Sequence, residues 1–95
     1  MLKINEYFDG QVKSIGFQGS ELASSVGVMA AGEYRFDTAQ FETMTVVSGA
    51  LTVKLPNQNN WQEFQAGQSF TVRANQVFDL KVLQASAYLC TYEDK

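Results

Sequence analysis

The sequence predicts an all-β domain, and three observations carry that expectation. Apolar residues recur with a period of two rather than 3.6. The alternating runs are short and are separated by Gly, Asn, Gln and Ser, the residues that turn a chain between strands. No stretch sustains the i, i+3, i+4, i+7 apolar spacing of an amphipathic helix.

In Gln11–Phe17, Lys13, Ile15 and Phe17 share one face, while Val12, Ser14 and Gly16 share the other. Turning Ile15 and Phe17 toward a core turns Lys13 with them. Ser25–Ala31 reads as the next strand, and Gly27 within it implies a bulge or a close backbone approach. In Glu33–Thr38 the residues Tyr34, Phe36 and Thr38 face one way, leaving Arg35 as a solvated charge on the other side. Glu42, Met44 and Val46 then share a face, and Ser48-Gly49 reads as a hairpin turn into Leu51, Val53 and Leu55. Pro56 and Asn57–Asn60 form a loop. Trp61 and Phe64 lead to a turn at Ala66-Gly67, followed by Phe70 and Val72 and a turn at Arg73–Gln76. Two further strands carry Phe78, Leu80 and Val82 in phase, then Tyr88, Cys90 and Tyr92. About eight short strands result, a number suited to a closed or double-sheet antiparallel architecture with few free edges.

Residues 1–95 show no internal repeat, low-complexity stretch or linker, so one domain is expected. Seven Lys and Arg against ten Asp and Glu leave a net charge of −3, which argues against nucleic acid as a partner. Zero histidines exclude Ser-His-Asp and Cys-His nucleophilic systems and every metal site built on imidazole. The one cysteine, Cys90, forms no internal disulfide and reads as a small buried hydrophobe without a catalytic role. Met1–Gly10 lacks the apolar run of a signal peptide or membrane span, so a soluble cytoplasmic protein without a membrane partner is expected. A core this small is commonly supplemented by association, and a homodimer is expected.

The spacing Glu42, six residues, Gly49, preceded by Gly32, resembles the first conserved block of the cupins, and Gly67 begins a stretch that resembles the second. The three positions that hold metal-binding histidines in that superfamily fall on Thr38, Gln40 and Phe78. The resemblance therefore implies a single-domain jelly-roll β-barrel without a bound metal. A fuller resemblance runs through Asn5-Glu-Tyr-Phe8, Val12-Lys-Ser-Ile-Gly-Phe17, Ser25-Val-Gly-Val-Met29, Gly32-Glu-Tyr-x-Phe-x-Thr38, Glu42-x-Met-Thr-Val-x-Ser-Gly-Ala-Leu51 and Tyr88-Leu-Cys90. These six blocks, in order, resemble the small bacterial pyrimidine/purine nucleoside phosphorylases of cupin type. That family resemblance implies reversible phosphorolysis of nucleosides to a free base and a pentose 1-phosphate. It implies broad base tolerance, inorganic phosphate as co-substrate, and neither metal nor other cofactor.

Such chemistry needs an anion site, acceptors for ribose hydroxyls, a surface for the base and stabilisation of positive charge growing on the sugar. Glu42, placed by strand phase beside Met44 and Val46, is the candidate catalytic carboxylate; internal bonding within the barrel is its structural alternative. Lys13 is the candidate catalytic phosphate ligand, with snorkelling to solvent as the alternative. Arg73 is a second candidate for phosphate, against an ordinary solvated turn residue. Tyr34, Phe36, Met44, Phe78 and Tyr88 are candidates for a wall that stacks either kind of base, and Thr38 for a hydrogen bond to ribose or phosphate. Core packing is the alternative for each aromatic residue. Two other functions fit the same residues: a noncatalytic cupin that binds a sugar or nucleotide, and a structural subunit with a filled barrel.

Overall fold

The computed structural model describes residues 2–95 as ten strands joined by turns and loops. They are β1 (Lys3–Tyr7), β2 (Val12–Gln18), β3 (Ala23–Met29), β4 (Gly32–Asp37), β5 (Phe41–Ser48), β6 (Ala50–Lys54), β7 (Gln62–Gln65), β8 (Ser69–Val72), β9 (Val77–Val82) and β10 (Ser86–Glu93). Six form one sheet in the order β1-β2-β3-β10-β5-β8, and four form a second in the order β4-β9-β6-β7. Every pairing is antiparallel. The period-two pattern explains the layering. In β9, Phe78, Leu80 and Val82 are buried while Asp79 and Lys81 are not, and Met44 and Val46 of β5 are buried in the same alternating way. One core joins the layers, with Met29, Met44, Val46 and Phe70 from the larger sheet and Leu51, Val53 and Leu80 from the smaller. No helix among the described residues is long and apolar enough to cross a membrane.

The structure changes three expectations. Ten strands replace about eight, in part because β1 is an edge strand that shows no apolar alternation. Ser48-Gly49 is not a hairpin turn. β5 pairs with β10 and β8, whereas β6 pairs with β9 and β7, so the chain crosses from one sheet to the other at this corner. Gly49 has φ +82°, and a Cβ there would collide with Ser86. Ser86 Oγ accepts from the Ala50 amide at 3.1 Å and donates to the Gln84 carbonyl at 2.7 Å, which pins the corner.

The third change is the phase of β2. Val12 and Ser14 are buried, and Lys13 and Ile15 lie on the outer face. Cross-strand register shows why. Ser14 stands opposite Gly27, and Gly27 opposite Tyr88, so this row faces inward with the Tyr88 ring laid over the glycine. A Cβ on Gly27 would come within 2.5 Å of that ring, so the glycine marks a close approach. The ladder's irregularity falls elsewhere, between Ala87 and Tyr88 against β5.

Candidate active site

A cavity of about 510 Å³ lies between the sheets, a size typical of small-molecule sites. Its buried lining includes Ser14, Met29, Met44, Phe78, Tyr88 and Cys90. The exposed lining residues Tyr7, Phe8, Arg35, Asp37 and Ala39 mark where it opens. The cavity excludes the filled-barrel alternative.

Glu42 enters this space from β5, half-buried, in phase with buried Met44 and in register with Tyr92. Its Oε1 accepts from the Cys90 thiol at 3.5 Å. Withdrawal from water raises the Glu42 pKa, the thiol's hydrogen bond counters that rise, and the like charge of Asp37 adds to it. Burial also pushes the Tyr88 phenol up to about 12 and raises both Cys90 and Tyr92, so these neighbours keep their protons. Tyr92 Oη and Ser25 Oγ hydrogen-bond each other at 2.8 Å. Cys90 is thus a donor to the carboxylate, a role its sequence position did not suggest, and a poor nucleophile. None of the ion pairs among the described residues includes Glu42. Glu42 lines a cavity large enough for a sugar.

Four of the six expected substrate-binding residues line the cavity: Phe36, Met44, Phe78 and Tyr88. The Phe36 and Phe78 rings stack at 5.9 Å between centroids. Tyr34 does not reach it. Its hydroxyl donates to the Ala30 carbonyl at 2.7 Å, and its ring packs against Phe8. Thr38 is committed to the β8–β9 turn: its hydroxyl donates to the Arg73 carbonyl at 2.6 Å and accepts from the Gln76 amide at 3.1 Å. It holds a turn in which Asn75 adopts φ +61°. Gln40, the second position that matches a cupin metal ligand, donates to Asp94 at 2.9 Å.

Neither expected phosphate ligand meets Glu42. Lys13 lies on the outer face because of the β2 phase, with Nζ 3.4 Å from Glu6 Oε1. Arg73 is exposed in its turn and absent from the cavity lining. The only cation among the lining residues is Arg35, bound to Asp79 through Nε at 2.7 Å and Nη2 at 3.3 Å. That pair raises the Arg35 pKa and holds Asp79 below the usual carboxylate range, through the hydrogen bond first and charge after it. Ser14, Tyr7, Phe8 and Tyr92 also join the site without having been expected there. Ser14 was hidden by the inverted phase. Tyr7 and Phe8 lie in the Asn5–Phe8 block, where no alternation signals which residues turn inward. Among the described residues, no three His, Cys, Asp or Glu side chains gather as a metal-binding group.

The model of the pyrimidine/purine nucleoside phosphorylase family matches residues 2–92. The chain belongs to this family. A pyrimidine/purine nucleoside phosphorylase from Magnetococcus marinus is 68% identical over 92 residues, which cover 97% of this chain and 99% of the relative. A crystal structure of a Vibrio parahaemolyticus protein of unknown function superposes with a TM-score of 0.94 at 48% identity, covering 98% of this chain and 99% of that one. An RmlC-like cupin from Shewanella frigidimarina superposes at 0.76 with 20% identity, covering 99% and 85%, and supports the cupin-like fold. Within this phosphorylase family frame, Glu42 is the one carboxylate of the cavity placed on an inward-facing strand position among buried apolar residues.

The raised Glu42 pKa has a definite sign for stability. Between the ordinary value of 4.5 and the raised native value, the native state binds more protons than the unfolded chain, so stability falls as pH rises through that window. Replacing Glu42 by Gln removes the cost of ionising a half-buried group. Glu42→Gln is expected to melt at a higher temperature than wild type near neutral pH, with the advantage vanishing below about pH 4.5. Calorimetric melts across this range check it; a variant less stable at neutral pH would mean that the carboxylate is fully satisfied internally.

Proposed function

We propose that this member of the family cleaves purine and pyrimidine nucleosides by reversible phosphorolysis, without a metal, in the cytoplasm. The observation that carries the reading is the half-buried Glu42 carboxylate, held by one thiol donor and open to an aromatic-lined cavity. Ribose hydroxyls are natural donors for its free lone pairs. A phosphate oxygen forms the new bond to C1′ as the C1′–N bond breaks, and the electron pair leaves on the base nitrogen, which takes up, by way of solvent, the proton that hydrogen phosphate gives up. Positive charge grows on the sugar in between, and a nearby carboxylate in a partly dry site stabilises it. The products are free base and pentose 1-phosphate.

Arg35 takes the phosphate in place of Lys13 and Arg73. Its pairing with Asp79 uses Nε and Nη2, which leaves Nη1 outside that pair. The aromatic side chains that line the cavity offer stacking to the flat face common to all bases, which supports broad tolerance.

Purified protein incubated with uridine or adenosine is expected to release base only when phosphate is present, and a chelator is expected to leave the rate unchanged. Glu42→Gln should lower kcat/KM by roughly a hundredfold, whereas Lys13→Ala and Arg73→Ala stay within about twofold of wild type. Base release without phosphate would contradict the reading. So would tight nucleoside binding without turnover, which is the behaviour of a noncatalytic module.

The homodimer is proposed on the outer face of the six-stranded sheet. Ile4, Ile15, Val26 and Leu89 stand in one row across β1, β2, β3 and β10, with Val28 one row away. Ile4, Ile15, Val26 and Val28 are exposed. At a strand spacing of about 4.8 Å the row is roughly 15 Å wide. It supplies the apolar centre of an interface of about 800 Å² per partner, and a second copy about a two-fold axis covers both patches at once. Light scattering is expected to show a dimer for wild type and a monomer for Ile15→Glu; a monomeric wild type would contradict the assignment.

A further inference from the structure

Among the described residues, the β1–β2 turn is the one place where an aromatic residue adopts a left-handed backbone. Phe8 and Asp9 both have φ +54°, followed by Gly10 at +83°. A left-handed phenylalanine is uncommon because its Cβ crowds the backbone, and such strain persists where the surroundings hold it, often at ligand clamps. Hydrogen bonds from the Gly10 amide to the Tyr7 carbonyl and from the Gln11 amide to the Phe8 carbonyl, each 3.1 Å, fix this turn.

The strain places two aromatic rings across the gap between the sheets. Tyr7 stands opposite fully buried Val12 and so shares its inward face. The Phe8 ring lies 5.0 Å from Tyr34 and 5.4 Å from Phe36, edge-on to the latter, and Tyr7 meets Phe36 edge-on at 6.2 Å. The turn of the six-stranded sheet's edge hairpin thereby closes against β4, the edge of the other sheet. Both residues line the cavity, yet both keep 44% of their surface exposed. A pair of large aromatic rings held at a cavity opening by a strained backbone and left half uncovered fits a flat ligand better than it fits a core.

We propose that Phe8, supported by Tyr7, is the platform on which the nucleobase stacks at the open side of the cavity, while the sugar lies deeper against Glu42. This assignment rests on the phosphorolysis reading and gives it a polarity: base toward the β1–β2 turn, ribose toward β5. Stacking on an exposed platform leaves the edges of the base toward water, so the platform accepts one-ring and two-ring bases alike.

The test separates the two ends of the substrate. Phe8→Gly removes the ring and its packing on Tyr34 and Phe36 but also relieves the positive φ, so the variant is expected to fold with a melting temperature only a few degrees below wild type. Its KM for uridine and adenosine should rise about tenfold or more, as expected for the loss of one stacked base, with KM for phosphate unchanged. In the synthetic direction, KM for the free base should rise while KM for ribose 1-phosphate, which has no base, stays the same. Phe8→Trp, which keeps a stacking surface, should restore nucleoside KM toward wild type. Unchanged nucleoside KM in folded Phe8→Gly, or base and ribose 1-phosphate KM rising together, would overturn the platform while leaving phosphorolysis intact. Absence of nucleoside turnover in wild type would overturn the underlying reading and the platform with it.

Discussion

A carboxylate drawn partly out of water between two apolar sheet faces has to be supported by the fold around it, and Glu42 is in that position. Burial works against its ionised form, and the Cys90 thiol is the donor that the protein supplies. A group left this way raises the free energy of the folded chain and lowers that of any ligand that brings hydroxyl donors to it. On the proposed reading, the site joins stability and function at one side chain: what the empty protein loses by ionising Glu42, the hydroxyls of a bound sugar would recover.

The neighbouring strands are arranged so that this carboxylate keeps its cavity. Gly27 clears space for the Tyr88 ring, and Ser14 completes the same inward row, so the wall beside the carboxylate is wide, flat and neutral. At the far end of β5, the Gly49 corner carries the chain between sheets with Ser86 as its pin, while Thr38 clamps the β8–β9 turn on the Glu42 side. Ser86 and Thr38 spend their hydroxyl protons on backbone carbonyls, and that is why Thr38, at a position that matches a cupin metal ligand, has no donor left for a ligand.

Much of the layering was legible because strands with one wet face write their burial into alternate residues, as β9 and β10 do and as β5 does around Met44. That alternation also placed Glu42, Phe36, Phe78 and Tyr88 at the cavity. Where both faces of a strand are apolar the rule loses its meaning. In β2 the larger residues Ile15 and Phe17 favour one face, yet the core takes Val12 and Ser14, because the outer face carries its own apolar row. Lys13 followed that inverted phase out of the site. The Gly49 corner shows a second limit, since a glycine turn has the same local chemistry whether the chain returns beside itself or crosses to another sheet. Arg35 and Phe8 join the site through the meeting of two sheet edges, a juxtaposition that no local pattern encodes.

The central claim is that Glu42 meets the sugar. Carbon-13 NMR titration of its carboxyl carbon, with and without saturating uridine in phosphate-free buffer, tests this at the atom concerned. Hydroxyl donors stabilise the ionised form and the nucleoside brings no charge of its own, so the account predicts a raised pKa in the free protein that falls when the nucleoside binds. A Glu42 pKa that stays the same or rises on binding would contradict it.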